Sequence, residues 1–221
     1  MFLRNAAAAA LPLLLAASVA SAETAALPAE KLFPFLQAYY NMPSAQRDHF
    51  QMAYFMAIKG DAKSVTAAVK HAEGDVALAI ASNGRITPLP SADDLKNKRQ
   101  IALTAPKGTS IGITIKLVPN IVPAATLDAA YLAVAIAQAH DGAKKAAGLL
   151  SLAVPDYKTV CFDGAPSGTA VLKSGKSVAL KVQTSTDAKA SVCFTPSDTP
   201  DAVQIKFERA PSAIYIVPRP K

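Results

Sequence analysis

Three histidines, His49, His71 and His140, and two cysteines, Cys161 and Cys193, carry the readiest chemistry in this chain of 221 residues. Histidine can act as a base near neutral pH or ligate a metal. None of the three has a second histidine at helical ligand spacing, so no metal site is expected. A dispersed Ser/His/Asp site stays open, because the chain order of such a triad differs between unrelated folds. A structural role is also available to two of them. His140 can close a helix end, where a cationic ring meets the negative end of the dipole, and His71 can flank a turn.

The cysteines are the sharper signal. Each sits in the same tripeptide, Val160-Cys161-Phe162 and Val192-Cys193-Phe194. In a strand, alternation sends Val and Phe to one face and sulfur to the other. There is no Cys-x-x-Cys pair and no nearby histidine, so a structural disulfide between Cys161 and Cys193 is expected. The segment Ala170 to Ser177 approaches a phosphate-binding loop, but alanine stands where the first glycine must turn the backbone. It reads better as a hairpin. No G-x-S-x-G, S-x-x-K or H-E-x-x-H motif is present, and no cofactor is implied.

The most unusual local feature is aromatic. Phe33, Phe35, Tyr39, Tyr40, Phe50, Tyr54 and Phe55 crowd into one short stretch, with Met42, Met52 and Met56 among them, in a chain without tryptophan. Aromatic and methionine side chains are enriched at interface centres, so Phe33, Phe35, Tyr39, Tyr40 and Tyr54 could form a partner-binding surface. The competing reading is core, and it is the stronger one, because an exposed patch of that size invites aggregation.

These groups must be held by elements, and the pattern of the chain supplies them. Residues 1–22 read as a secretory signal: Arg4, an apolar stretch from Ala6 to Val19, then Ala20-Ser21-Ala22, with cleavage before Glu23. The apolar stretch is too short to span a bilayer, and no later one is long enough. The mature protein is therefore expected to be soluble, periplasmic or secreted, in an oxidising compartment. The formal charge of +7 loses one unit with Arg4, and the remaining basic residues are scattered. Lys96, Lys98 and Arg99 form the densest group, without interleaved aromatics, so nucleic-acid binding is not expected.

From Leu27 to Asn41 the pattern is helical but interrupted at Pro34. Phe50 to Ile58 fits either period, and the β-branched and aromatic content favours a strand. Strands follow at Ser64–His71, Val76–Ser82, Arg85–Leu89, Ile101–Ala105 and Ile111–Val118, with Asn83-Gly84 as a hairpin turn. Ser91-x-x-Asp94 marks a helix start. A helix dominated by alanine is expected from Thr126 to His140, ending at Gly142, followed by a second helical piece from Ala143 to Leu150. Being apolar nearly all round, it should lie in an interior. Short strands at Tyr157–Phe162, Thr169–Leu172, Ser177–Thr184, Ala190–Thr195, Ala202–Phe207 and Ala213–Val217 complete the chain.

The expected architecture is a strand-dominated α+β fold, with β-sandwich-like units, an alanine-rich central helix and a short N-terminal helix. Its organisation reads as a signal peptide at 1–22, a helix plus β unit at 23–122, a helical connector at 123–154 and a disulfide-containing β region at 155–221. The expected function is that of an exported accessory or binding protein acting on an envelope protein or polymer. The alternative is an envelope or cell-wall hydrolase with a dispersed active site that includes one of the histidines.

Overall fold

A computed structural model of the protein describes residues 22–184 and 190–218. The signal sequence read at residues 1–22 lies outside the described residues apart from Ala22. The chain starts with strand β1 (Ala22–Pro28), helices α1 (Ala29–Leu32) and α2 (Leu36–Tyr40), and strand β2 (Phe50–Lys59). Next come β3 (Thr66–Val69), β4 (Val76–Ile80), β5 (Ile86–Thr87), helix α3 (Ala92–Lys96), β6 (Gln100–Pro106) and β7 (Ser110–Pro119). Strand β8 (Thr126–Asp128) leads directly into the long helix α4 (Ala129–Ala147). The last stretch holds β9 (Tyr157–Asp163), β10 (Thr169–Leu172), β11 (Ser177–Ala179), β12 (Lys181–Thr184), β13 (Ala190–Phe194), β14 (Ala202–Lys206) and β15 (Ala213–Pro218).

The fold is α+β and strand-dominated, built on three antiparallel sheets among the described residues. Their orders are β1-β6-β3-β4-β5, β11-β10-β14-β8 and β12-β13-β9-β15-β7-β2. The six-stranded sheet takes β2 and β7 from the 23–122 region and the other four strands from the 155–221 region, joined where β15 pairs with β7 at Ile216 and Leu117. One continuous core results, running from Ala29 and Phe33 through Tyr54, Ile101 and Leu132 to Phe162, Phe194 and Ile205.

Alternation places the cysteines as the tripeptides predict. Val160, Phe162, Val192 and Phe194 are buried on the core face. Cys161 and Cys193 stand directly opposite each other across β9 and β13, with Cα atoms 4.1 Å apart, and form the disulfide on the other face. Beside it the hydroxyls of Thr159 and Thr195 pair at 2.8 Å, and Ser191 donates to Asp163 at 2.7 Å. These four polar side chains therefore satisfy one another in pairs, while the buried Gln183 Oε1 on the neighbouring strand has no hydrogen-bond partner.

Five local expectations are corrected. Leu27 and Pro28 end a strand rather than begin a helix: β1 pairs along its whole length with β6, in register from Ala22–Pro106 to Pro28–Gln100. The central helix begins at Ala129, because Thr126–Asp128 first pairs with β14, and Asp128 then caps the helix by accepting from the Tyr131 amide at 2.9 Å. Gly142 does not terminate this helix, which continues to Ala147. Nor is the helix enveloped. Its buried residues, Ala129, Leu132, Ala135, Ile136, Ala139 and Gly142, form one stripe, and Val134 on the other side is exposed. Alanine raised the apolar count without requiring burial all round. Ser177–Thr184 splits at Leu180 into β11 and β12, which belong to different sheets.

The start of α3 follows the expected chemistry. Ser91 Oγ accepts from the Asp94 amide at 3.1 Å, and Asp94 Oδ2 accepts from the Ser91 amide at 2.9 Å, a reciprocal capping box. The segment Ala170 to Ser177 is the β10–β11 hairpin, with Val171 opposite Ser177.

Candidate functional site

The stripe of small residues along α4 lets β2 approach closely. A Cβ on Gly142 would stand 2.7 Å from Cζ of Phe50 and 3.4 Å from Cε of Met42, so the absence of a side chain is what seats the Phe50 ring. Further along α4, Ala143 and, one turn on, Ala146 and Ala147 are too small to fill the space before α2 and the sheet. What remains is an open cavity of about 310 Å³, at the lower end of the range typical of small-molecule sites.

Its walls are Tyr39 from α2 with Met42 beyond it, Phe50 and Met52 from β2, Ile115 and Leu117 from β7, the alanines of α4, and Ala153 to Pro155 with Tyr157. No lining side chain carries a formal charge. The Tyr39 hydroxyl donates to the Phe50 carbonyl at 3.0 Å, so its polar end is already engaged. Burial raises the phenol pKa of both Tyr39 and Tyr157, which keeps the wall neutral, although Arg47 beside Tyr39 opposes part of the rise. Such a cavity favours hydrocarbon over any ionised group, whose desolvation nothing inside would offset.

Phe35 stands at its mouth. This residue is half exposed yet adopts φ 66° and ψ −8°, the left-handed region that a bulky side chain rarely enters. Neighbours hold it there. Tyr54 donates from its hydroxyl to the Pro34 carbonyl at 2.6 Å, and the Tyr39 amide donates to the Phe35 carbonyl at 2.9 Å as α2 begins. The Phe33 ring packs edge-on against Tyr54 at 5.1 Å, fixing the other side of the corner.

The five aromatic residues singled out in the sequence thus have different placements. Phe33, Tyr39 and Tyr54 are buried in the core, Tyr40 is half-buried with its hydroxyl on the Pro90 carbonyl at 3.1 Å, and Phe35 projects. Tyr39 and Phe35 are the two that reach the cavity.

Each histidine has an aspartate. His49 Nδ1 is 2.7 Å from Asp48, whose carboxylate also accepts from Gln138 of α4. Those two bonds hold the Asp48 carboxyl below its ordinary pKa. His71 Nε2 lies 3.2 Å from Asp94, and His140 Nδ1 lies 3.8 Å from Asp156 without a hydrogen bond. The three pairs sit on separate elements. Among the described residues no hydroxyl or thiol is hydrogen-bonded to a histidine, and no three His, Cys, Asp or Glu side chains converge as a metal site would require.

A second cleft, which sequence reasoning missed, lies on the disulfide face of the six-stranded sheet. Lys116 stands over Tyr215 at 4.4 Å and Phe55 at 5.5 Å, beside Asp163 and Ser191. Alternation opposite Tyr54, Ile115 and Ile216 was the signal that could have found it.

No protein-family model, curated protein or solved structure matches this chain.

Proposed function

We propose that the protein is exported, loses residues 1–22 by cleavage before Glu23, and works in the periplasm or outside the cell as a binding protein for an apolar ligand. The observation that carries the reading is the uncharged cavity between α2, α4 and the six-stranded sheet, with Phe35 held in an unfavourable backbone conformation at its mouth. Export is supported by the Arg4 to Ala22 pattern and by the Cys161–Cys193 disulfide, which suits an oxidising compartment. No helix among the described residues is long and apolar enough to cross a membrane.

The test is uptake of a neutral fluorescent probe, N-phenyl-1-naphthylamine, by protein purified from the envelope of an expressing host. Uptake is expected, and Ala146→Phe, which fills the cavity from a half-buried helix position, is expected to abolish it with the fold retained. No uptake, or uptake indifferent to Ala146→Phe, overturns the reading.

The alternative of an envelope hydrolase keeps one specific observation in its favour, the carboxylate beside each histidine, which is how a general base is oriented.

A further inference from the structure

We infer that the ligand is a single hydrocarbon chain ending in an anionic head, with the chain in the cavity and the head outside it against Arg47 and Lys145. This rests on the binding reading above and adds the class of ligand. A volume of about 310 Å³, at the lower end of the range for small-molecule sites, accommodates one chain. A wall without charge requires any ionised head to stay in water.

Two cations beside the wall then decide its sign. Arg47 lies against two wall residues: its guanidinium carbon is 5.2 Å from the centre of the Tyr39 ring, and its Nε donates to the Met42 carbonyl at 3.1 Å. Lys145, next to Ala146 in α4, donates to Gln46 at 2.6 Å, which brings the turn carrying Arg47 against the same part of the helix. Neither cation has a carboxylate partner among the described residues. Of the nearby carboxylates, Asp48 is engaged with His49 and Gln138 and Asp156 with Lys158 at 2.6 Å, while Asp141, one helical turn before Lys145, stands in solvent outside ion-pair distance of it. An anionic head therefore meets two positive charges that no carboxylate among the described residues pairs with directly.

The experiment is competition against bound N-phenyl-1-naphthylamine by decanoate, octanoate and decyltrimethylammonium. Each methylene buried is worth roughly fourfold in affinity, so octanoate should bind on the order of fifteen times more weakly than decanoate. Decanoate should displace the probe at least tenfold better than the ammonium compound. Lys145→Gln and Arg47→Gln should each narrow that preference, Lys145→Gln without changing probe affinity, and Arg47→Lys should restore most of it. Should Arg47→Gln fail to fold, Lys145→Gln decides alone, since its side chain is exposed. Displacement by lysophosphatidylglycerol as well as decanoate identifies a chain delivered on a lipid, and displacement by decanoate alone identifies a free acid. Probe uptake with equal competition by the anion and the cation overturns the inference and leaves the binding reading standing. Absence of probe uptake overturns both.

Discussion

Replacing Gly142 by alanine sets two effects of similar size against each other, and the structure says which wins. Alanine inside a helix is favoured over glycine by about 1 kcal/mol. Gly142 lies within α4 and its backbone is not left-handed, so that gain should apply in full at an open position. The new Cβ would instead fall 2.7 Å from Phe50 Cζ and 3.3 Å from Cε1. Phe50 is 1% exposed and Tyr39 packs edge-on against it at 5.5 Å, so the ring can yield only toward the cavity it lines and gives up packing as it does. Overpacking of this kind costs roughly 1–3 kcal/mol. The net expectation is destabilisation by about 1 kcal/mol, a fall in Tm of about 2–4 °C for a chain of this size. Thermal and urea denaturation followed by circular dichroism measures it. With Phe50→Leu as the background the ring is gone, and Gly142→Ala should become stabilising by up to about 1 kcal/mol, a coupling near 2 kcal/mol in the double-mutant cycle. A glycine ending the helix in left-handed geometry would give a penalty that Phe50→Leu leaves untouched. That result, or stabilisation by Gly142→Ala alone, would refute the close approach of α4 to β2 and with it the shape of the cavity.

Three further outcomes follow from the geometry. Cys161→Ala with Cys193→Ala should lower stability by about 4 kcal/mol on the chain-entropy account for cysteines 32 residues apart, and the oxidised, denatured wild type should show no free thiol among these two; two titratable thiols would exclude the bridge. At alkaline pH the burial of Tyr39, Tyr40, Tyr54, Tyr157 and Tyr215 raises their folded pKa above the ordinary 10.0, most strongly for Tyr54. The unfolded phenols ionise first, so this stabilisation is complete below pH 10 and is lost as pH climbs through the folded values; ultraviolet titration that finds all phenols ionising near 10 in the folded state would contradict the burial. Alanine at His49, His71 or His140 should leave probe uptake intact. Loss of a hydrolytic activity on envelope material in any of these variants, with folding unchanged, would favour the enzyme reading instead.

What the sequence showed depended on whether one local pattern decided the outcome. Strands with a buried face, such as β2 and β7, announce themselves by alternation, and so did the opposed faces of the two Val-Cys-Phe tripeptides. β1 escaped because it is an edge strand exposed along most of its length, so no apolar period marks it. β8 escaped because only Leu127 of its three residues is buried. Gly142 misled because a local rule assigns glycine near a helix end to the terminus, whereas here contact with Phe50 sets the requirement. The division of Ser177–Thr184 between two sheets turns on where Leu180 lies in three dimensions, and alternation does not encode that. The cavity was legible only in part: its aromatic and methionine wall stood out in composition, while the alanines of α4 and Tyr157 come from distant segments.

The double use of the aromatic cluster limits how binding can be separated from stability. Tyr39, Met42, Phe50 and Met52 are core residues and cavity wall at once, so truncating any of them removes buried surface as well as ligand contact. Phe35 differs. Its ring is half exposed, and its left-handed backbone costs roughly 1–2 kcal/mol that glycine would not incur. Phe35→Gly therefore gains about as much from the backbone as it loses from partial packing, and stability should change by less than about 1 kcal/mol. Probe affinity should fall severalfold, because the contact at the mouth is gone. A purely structural Phe35 would give the opposite pair of results, a clear loss of stability with affinity preserved. The two readouts together decide whether the strain at this corner serves the cavity or the fold.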